Sequence, residues 1–114
     1  MTPQTFSAQV RSESQRVVID LHGEINSQAD GALSQAYTDA NAQDPEVIVL
    51  NFSDVDYINS TGIALIVGLL AEARKVHRRL SVYGLTEHYA QIFEITRLSD
   101  FMDIFPDEAS ALEK

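Results

Sequence analysis

The stretch Asp54-Val55-Asp56-Tyr57-Ile58-Asn59-Ser60-Thr61-Gly62, followed by the apolar run from Ile63 to Ala71, decides how this chain is read. A polar loop, Asp54 to Asn59, gives way to a helix that the pattern carries from Ser60 to Arg79. Asn59 or Ser60 can accept hydrogen bonds from the free N–H groups of the first helical turn. The helix is apolar or small all the way round at its start, so it must be covered on more than one side. Spacing aims Ile63, Ile66, Val67 and Leu70 at a sheet, while Ala64, Gly68 and Ala71 form a stripe that allows close approach. Leu65 and Leu69 fall off that stripe. A neighbouring helix covers them, or they form an apolar patch beside Ser60.

Outward from this segment, strands and helices alternate. Val47-Ile48-Val49-Leu50 is a continuous apolar run, the mark of a central strand covered on both faces. Ser27 to Asn41 has helical spacing, with Asn26 or Ser27 placed to cap it and Asp44-Pro45 to stop it. Phe6 to Val10 alternates as a half-exposed strand, Ser12 to Gln15 reads as a hairpin turn, Arg16 to Leu21 as a second strand and Gly23 to Asn26 as a tight loop. Downstream come a strand at Leu80 to Tyr83, a helix at Glu87 to Ile95, a short strand at Phe101 to Phe105 and a helix at Asp107 to Leu112. The order β, β, α, β, α, β, α, β, α predicts an α/β sandwich, with a mostly parallel mixed sheet of about five strands and about four helices. Function in such sheets gathers on loops at the strand C-termini, and the loop after Leu50 is the longest of these.

Composition narrows the chemistry. The 114 residues suit one domain, 1–114, and 45% hydrophobic content is enough for an ordinary core. With no cysteine, thiolate catalysis, disulfides and Cys-ligated zinc are excluded. The net charge of −9 argues against direct nucleic-acid binding; it serves solubility first, and otherwise fits a basic partner or added negative charge as a signal. The run from Ile63 to Ala71 is about half of the roughly 20 residues that cross a bilayer, and Met1 to Thr5 lacks the features of a signal peptide. A cytoplasmic protein without membrane insertion is the expectation.

Catalytic constellations fail one by one. Asp54 and Asp56 lack a His or Glu at ligand spacing and read as a solvated turn. A phospho-aspartate receiver needs an acidic pair, an acceptor Asp and a late Lys, yet Asp20 falls inside a strand and no Lys occurs between Lys75 and Lys114. His22, His77 and His88 are scattered, and Ser60 lacks the glycine flank of a nucleophile elbow. The basic cluster Arg74 to Arg79 is what a helix C-terminus favours. No cofactor site and no enzyme emerge. A helix N-terminus does accept an anion, and a phosphate on Ser60 would add about 1.5 to 2 negative charges that a partner docked there would meet.

The run DVDYINSTGIALIVGLL, Asp54 to Leu70, resembles the signature of the STAS-domain anti-sigma factor antagonists (anti-anti-sigma factors). In that family a strand ends in a D-x-x-x-x-D-S-[ST]-G turn that opens a hydrophobic helix. The element order is similar along essentially the whole chain, and Gly23-Glu24-Ile25-Asn26 is similar to the family's "GELD". The resemblance implies a bacterial phosphoprotein of transcription regulation. Unphosphorylated, it binds an anti-sigma factor serine kinase and frees the sigma factor; phosphorylation of Ser60 switches it off and a PP2C-type phosphatase resets it. The partner surface is expected at Glu24, Asn26, Asp56, Asn59, Ser60, Thr61, Gly62 and Ile63, since these loops share one end of the sheet. Asn59 and Asn26 stand where the family usually and often, respectively, has Asp, which changes the charge a kinase meets. The alternative is a STAS scaffold or transport-associated subunit that binds its partner constitutively.

Overall fold

Alternating apolar and polar residues on β1 (Ser7–Glu13) and the β-branched run Val17–Ile19 that opens β2 (Arg16–Ile25) build an antiparallel hairpin in the computed structural model, which describes residues 6–13 and 15–113. Three more strands follow in spatial order: β3 (Val47–Ile58), β4 (Arg79–Tyr83) and β5 (Asp103–Phe105), with β2 to β5 all parallel. Parallel neighbours need crossovers, and helices supply them: α1 (Asp30–Ala42), α2 (Ser60–Lys75) and α3 (Glu87–Ile95). A fourth helix, α4 (Glu108–Glu113), follows the last strand. The expected five-stranded mixed sheet and four helices are therefore present. No described helix is long and apolar enough to cross a membrane.

The period of two along the strands divides the core. Val17, Ile19 and Leu21 of β2, Ile48, Leu50 and Phe52 of β3, and Leu80 and Val82 of β4 face α1, α2 and α3. On the opposite face Val18, Val47, Val49 and Tyr83 are covered by Ala111 and Leu112 of α4. Strand β3 is apolar without interruption over Val47 to Leu50 because both faces are buried there.

Two segments expected as loops are strand. Gly23 to Ile25 and Asp54 to Ile58 extend β2 and β3 well past the sheet body, paired Gly23↔Val55, Glu24↔Tyr57 and Ile25↔Ile58. Register shifts at Asp20/His22 and Gly23/Glu24, and a left-handed Gly23 (φ 96), disguise the alternation in the sequence. The solvated Asp54–Asp56 turn is thus a strand edge. Likewise Ser12 and Glu13, expected in a turn, continue β1 to a tight reversal at Gln15 (φ 69), and Ser14 lies outside the described residues. The terminal strand and helix are each shifted within two residues of the expected span. Asp107 caps α4 through its carboxylate, which accepts from the Ser110 N–H at 2.8 Å.

Helix α2 ends at Lys75, four residues before the expected Arg79. Left-handed His77 (φ 58) lets the His77 N–H reach the Arg74 carbonyl and the Arg78 N–H reach Ala73, the paired bonds of a Schellman stop. Arg79 then opens β4. Its buried side is Ile66, Leu69, Leu70 and Ala73, with Ile63 half-buried; Val67, expected against the sheet, is 44% exposed. A helix lying on one sheet face presents its other side to solvent, so an all-round apolar sequence overstated its burial.

Candidate functional site

Past Asn51, β3 loses β4 as a neighbour, since that ladder runs only from Val47↔Arg79 to Asn51↔Tyr83. The remainder of β3 pairs with β2 alone, so a two-stranded arm carries Asn59 and Ser60 at its tip. The tip is fixed by three sets of contacts. The Asn59 N–H donates to the Ile25 carbonyl at 3.2 Å. The Asn59 side-chain oxygen accepts from the Gly62 N–H at 2.8 Å, and its carbonyl accepts from the Ile63 N–H at 2.9 Å. The Ile58 N–H donates to the Tyr89 hydroxyl of α3 at 3.0 Å.

Of the two capping candidates the fold uses Asn59, whose extended backbone and side-chain bond are those of an N-cap. Ser60 is the first helical residue. It is exposed, and among the described residues no hydrogen bond holds its hydroxyl. Thr61 beside it is also exposed. The positive end of α2 and its unsatisfied first-turn amides therefore adjoin a free hydroxyl.

Gly62 is buried for a specific reason. A Cβ there would lie 2.1 Å from the Ile25 carbonyl oxygen, 2.8 Å from its carbon and 2.9 Å from Ile58 Cγ2. The glycine lets the first turn of α2 sit directly on the end of β2. Of the expected partner surface, Glu24, Asn26 and Asn59 are half-exposed, Asp56, Ser60 and Thr61 exposed, and Ile63 half-buried. Gly62 is inaccessible and acts by placing the others. Asn26 caps the 3₁₀ turn Ser27–Ala29, accepting from the Gln28 N–H at 2.9 Å, so both asparagines cap helical starts at the same end of the sheet.

Two residues escaped the sequence reading. Tyr57, opposite Glu24 on the arm, is 53% exposed, a large aromatic that the expected loop gave no reason to single out. Tyr89 lies in the helix expected at Glu87 to Ile95, and its hydroxyl satisfies a buried backbone donor of the arm. Tyr89→Phe is expected to cost about 1–2 kcal/mol by leaving that donor unpaired, with faster amide exchange at Ile58 as the local signature. Unchanged stability and exchange would show that water replaces the hydroxyl.

On the far face of the sheet lies a second polar cluster. Arg11 donates to Asp20 at 2.7 and 3.2 Å and also bonds Glu108; Asn51 donates to Asp20 at 2.7 Å, and the Tyr83 hydroxyl donates to Glu108 at 2.6 Å. Bonds from Arg11, then Tyr83, hold the Glu108 carboxyl below its ordinary range. Burial alone would raise Asp20, but the bonds from Arg11 and Asn51 outweigh it and the net direction is down. Burial, then the bond to Glu108, pushes the Tyr83 phenol up. This cluster pins α4 and stands apart from Ser60.

Known proteins share this architecture. The family model described as "Mlab, STAS domain" matches residues 8–105. An anti-sigma-B factor antagonist of Listeria monocytogenes is 27% identical over 92 residues, covering 81% of each chain, and one of Staphylococcus aureus is 28% identical over 86 residues, covering 75% of this chain and 80% of that one. Among solved structures, an anti-sigma factor antagonist from Mycobacterium paratuberculosis superposes with a TM-score of 0.84 at 21% identity, over 98% of this chain and 95% of that one. SpoIIAA in its unphosphorylated form gives 0.72 at 19% identity, over 93% and 94%. Its phosphorylated form from Bacillus gives 0.72 at 23%, over 94% and 97%. With a family match spanning nearly all of the described strands and helices, and the same fold in those structures, the chain belongs to the STAS domain family.

Proposed function

We propose that this protein is an anti-sigma factor antagonist. In its unphosphorylated form it binds an anti-sigma factor serine kinase and thereby releases the sigma factor; phosphorylation of Ser60 switches it off. The observation that carries the reading is the position of Ser60, exposed at the first turn of α2 with its hydroxyl free of any capping duty. The names of the curated relatives support the same role. A phosphoryl group there would be tolerated by the helix N-terminus and would bring about 1.5–2 negative charges beside Asp56 and Glu24. A kinase seated on Tyr57, Glu24 and the first turn of α2 would meet a charge that its own contact had desolvated, and would leave. A PP2C-type phosphatase would return the hydroxyl. The role is regulated binding; the chain itself performs no chemistry.

The test pairs the protein with a candidate anti-sigma kinase and ATP. Mass spectrometry is expected to find one phosphate, on Ser60, and none on Ser60→Ala, while Thr61→Ala is still modified. Ser60→Asp is expected to weaken kinase binding at least tenfold, or about 1.4 kcal/mol. No phosphate at Ser60 together with unchanged binding by Ser60→Asp would exclude the switch and leave a constitutive STAS scaffold or transport-associated subunit.

A further inference from the structure

The last complete row of the sheet is polar. Asp20 of β2, Asn51 of β3 and Tyr83 of β4 stand abreast there, and β4 pairs no further. Beyond that row β2 and β3 continue as the arm, but not in step. Strand β3 covers Asn51 to Ile58 while β2 covers Asp20 to Ile25, so β3 carries two residues more over the same length. The first surplus residue falls between Asn51 and Asp54, opposite Asp20 and His22, and the second between Val55 and Tyr57, opposite Gly23 and Glu24. An extra residue on one strand disrupts the ladder locally, bends that strand and increases its twist. The bulge at the root therefore sets the direction in which the arm leaves the sheet, and with it the placement of Tyr57 and Ser60 toward the tip.

The root bulge is held from both sides. Ser53 has no partner residue on β2, and the Asn51 carboxamide oxygen accepts from its N–H at 2.9 Å. The carboxamide nitrogen donates to Asp20 at 2.7 Å. Because a carboxylate only accepts, that bond fixes which end of the carboxamide faces Ser53. Asp20 is fixed in turn by bonds from Arg11 at 2.7 and 3.2 Å, and Arg11 reaches Glu108 of α4. On the other side stands Gly84, just past the end of β4, with a left-handed backbone (φ 83). A Cβ there would lie 2.5 Å from Ser53 Oγ and 2.7 Å from Ser53 N, so the Gly84 backbone closes the space into which the bulge would relax. Phe52, between Asn51 and Ser53, is buried and packs edge-on against Phe93 of α3, ring centroids 5.9 Å apart. Ser53 is solvent-exposed, yet its backbone is clamped.

We propose that Asn51 is the positioning residue of the arm: bonded to Asp20 and to the Ser53 amide, it fixes the bulge that aims Tyr57 and Ser60, and through Asp20 it ties that aim to Arg11. The polar cluster on the far face lies apart from Ser60 in space but reaches the root of its arm. A polar side chain in a strand also contributes stability alone, and the two roles differ in what the folded state does. If Asn51 only stabilises, its removal lowers the unfolding midpoint and leaves the folded arm pointing where it did. If Asn51 aims the arm, the folded arm itself turns while the body of the sheet stays in place. The inference does not depend on Ser60 being a phosphorylation site, and its test involves no kinase.

Residual dipolar couplings of backbone amides, measured on the intact chain, read that direction. The amides of α1, α3 and β4 define the frame of the body, and those of Val55 to Ile58 report the arm within it. Asn51 is half-buried outside the apolar core, so Asn51→Ala leaves no core cavity. In that variant the arm couplings are expected to shift well beyond measurement error while those of the body hold. Asn51→Asp keeps the acceptor for Ser53 but loses the donor and sets a carboxylate against Asp20; it should shift the arm likewise. Combining Asn51→Asp with Asp20→Asn exchanges donor and acceptor at unchanged net charge. The carboxamide then sits on β2 and donates to the carboxylate on β3, which still accepts from Ser53, and the arm couplings should return to the wild-type set. Wild-type arm couplings in both single variants, a shift spread equally over body and arm, or a double variant that stays shifted would each overturn the inference.

Discussion

Gly62→Ala is expected to lower stability by about 3 kcal/mol and the thermal midpoint by roughly 15 °C, although it exchanges a poor helix former for the best one. Intrinsic propensity alone favours alanine by about 1 kcal/mol, so the sign of the result discriminates between explanations. The new methyl group would lie 2.1 Å from the Ile25 carbonyl oxygen, which is backbone in a paired strand and cannot turn aside as a side chain would. Relief requires α2 to lift off the end of β2, breaking the bond from the Asn59 N–H to Ile25 and loosening the cap. Gly68→Ala is the matched control: it lies in the same helix, with open space at its Cβ, and should be neutral or stabilising by up to about 1 kcal/mol in dilute solution. Thermal unfolding of the two variants checks both. If the two alanines behaved alike, the close contact would be wrong.

Arg11→Ala is expected to cost about 2 kcal/mol near neutral pH and to flatten the acid side of the stability profile. The guanidinium satisfies Asp20 and Glu108 together, joining the hairpin to α4. Asp20 is the more consequential partner, since its side chain is 17% exposed and that of Glu108 39%, where solvent screens the pair. Both carboxyls are held below their ordinary values of 3.8 and 4.5, so their contribution is complete above those values and is lost as pH falls through the depressed folded ones. The wild type should therefore hold a stability plateau down to about pH 5 and fall below it. Without Arg11 the depression of Asp20 and Glu108 is relieved, so the variant lies below the wild type above about pH 5 and the two converge as pH falls and the carboxylates are protonated in both. Urea unfolding between pH 3 and 7 measures both the loss and the flattening. An identical pH profile in the variant would show that Asn51 alone satisfies Asp20.

The alternation of strands and helices was legible because most elements announce themselves locally. Val47 to Leu50 is buried on both faces and apolar throughout, and Glu87 to Ile95 matches its helix to the residue. The arm was not legible. Its strand carries Asp54, Asp56 and Asn59, residues that elsewhere mark loops, because only β2 pairs with it and most of its side chains meet water. The site suffered the same ambiguity in miniature: Asn59 and Ser60 are both good caps, and only the backbone geometry assigns the bond to Asn59. Tyr89 and the Arg11 cluster join residues 31 and up to 97 positions apart, pairings that no local pattern encodes.

The handover of the cap from Ser60 to Asn59 has a consequence for how the two positions change over time. Asn59 answers to folding, since losing its side chain releases the Gly62 amide. Among the described residues, none bonds to the Ser60 hydroxyl. A mutation at 60 is silent to the chaperones and proteases that police stability, and is felt only through whatever acts on the hydroxyl. Regulation at this surface can be gained, retuned or abandoned one substitution at a time while the domain that carries it goes on folding unchanged.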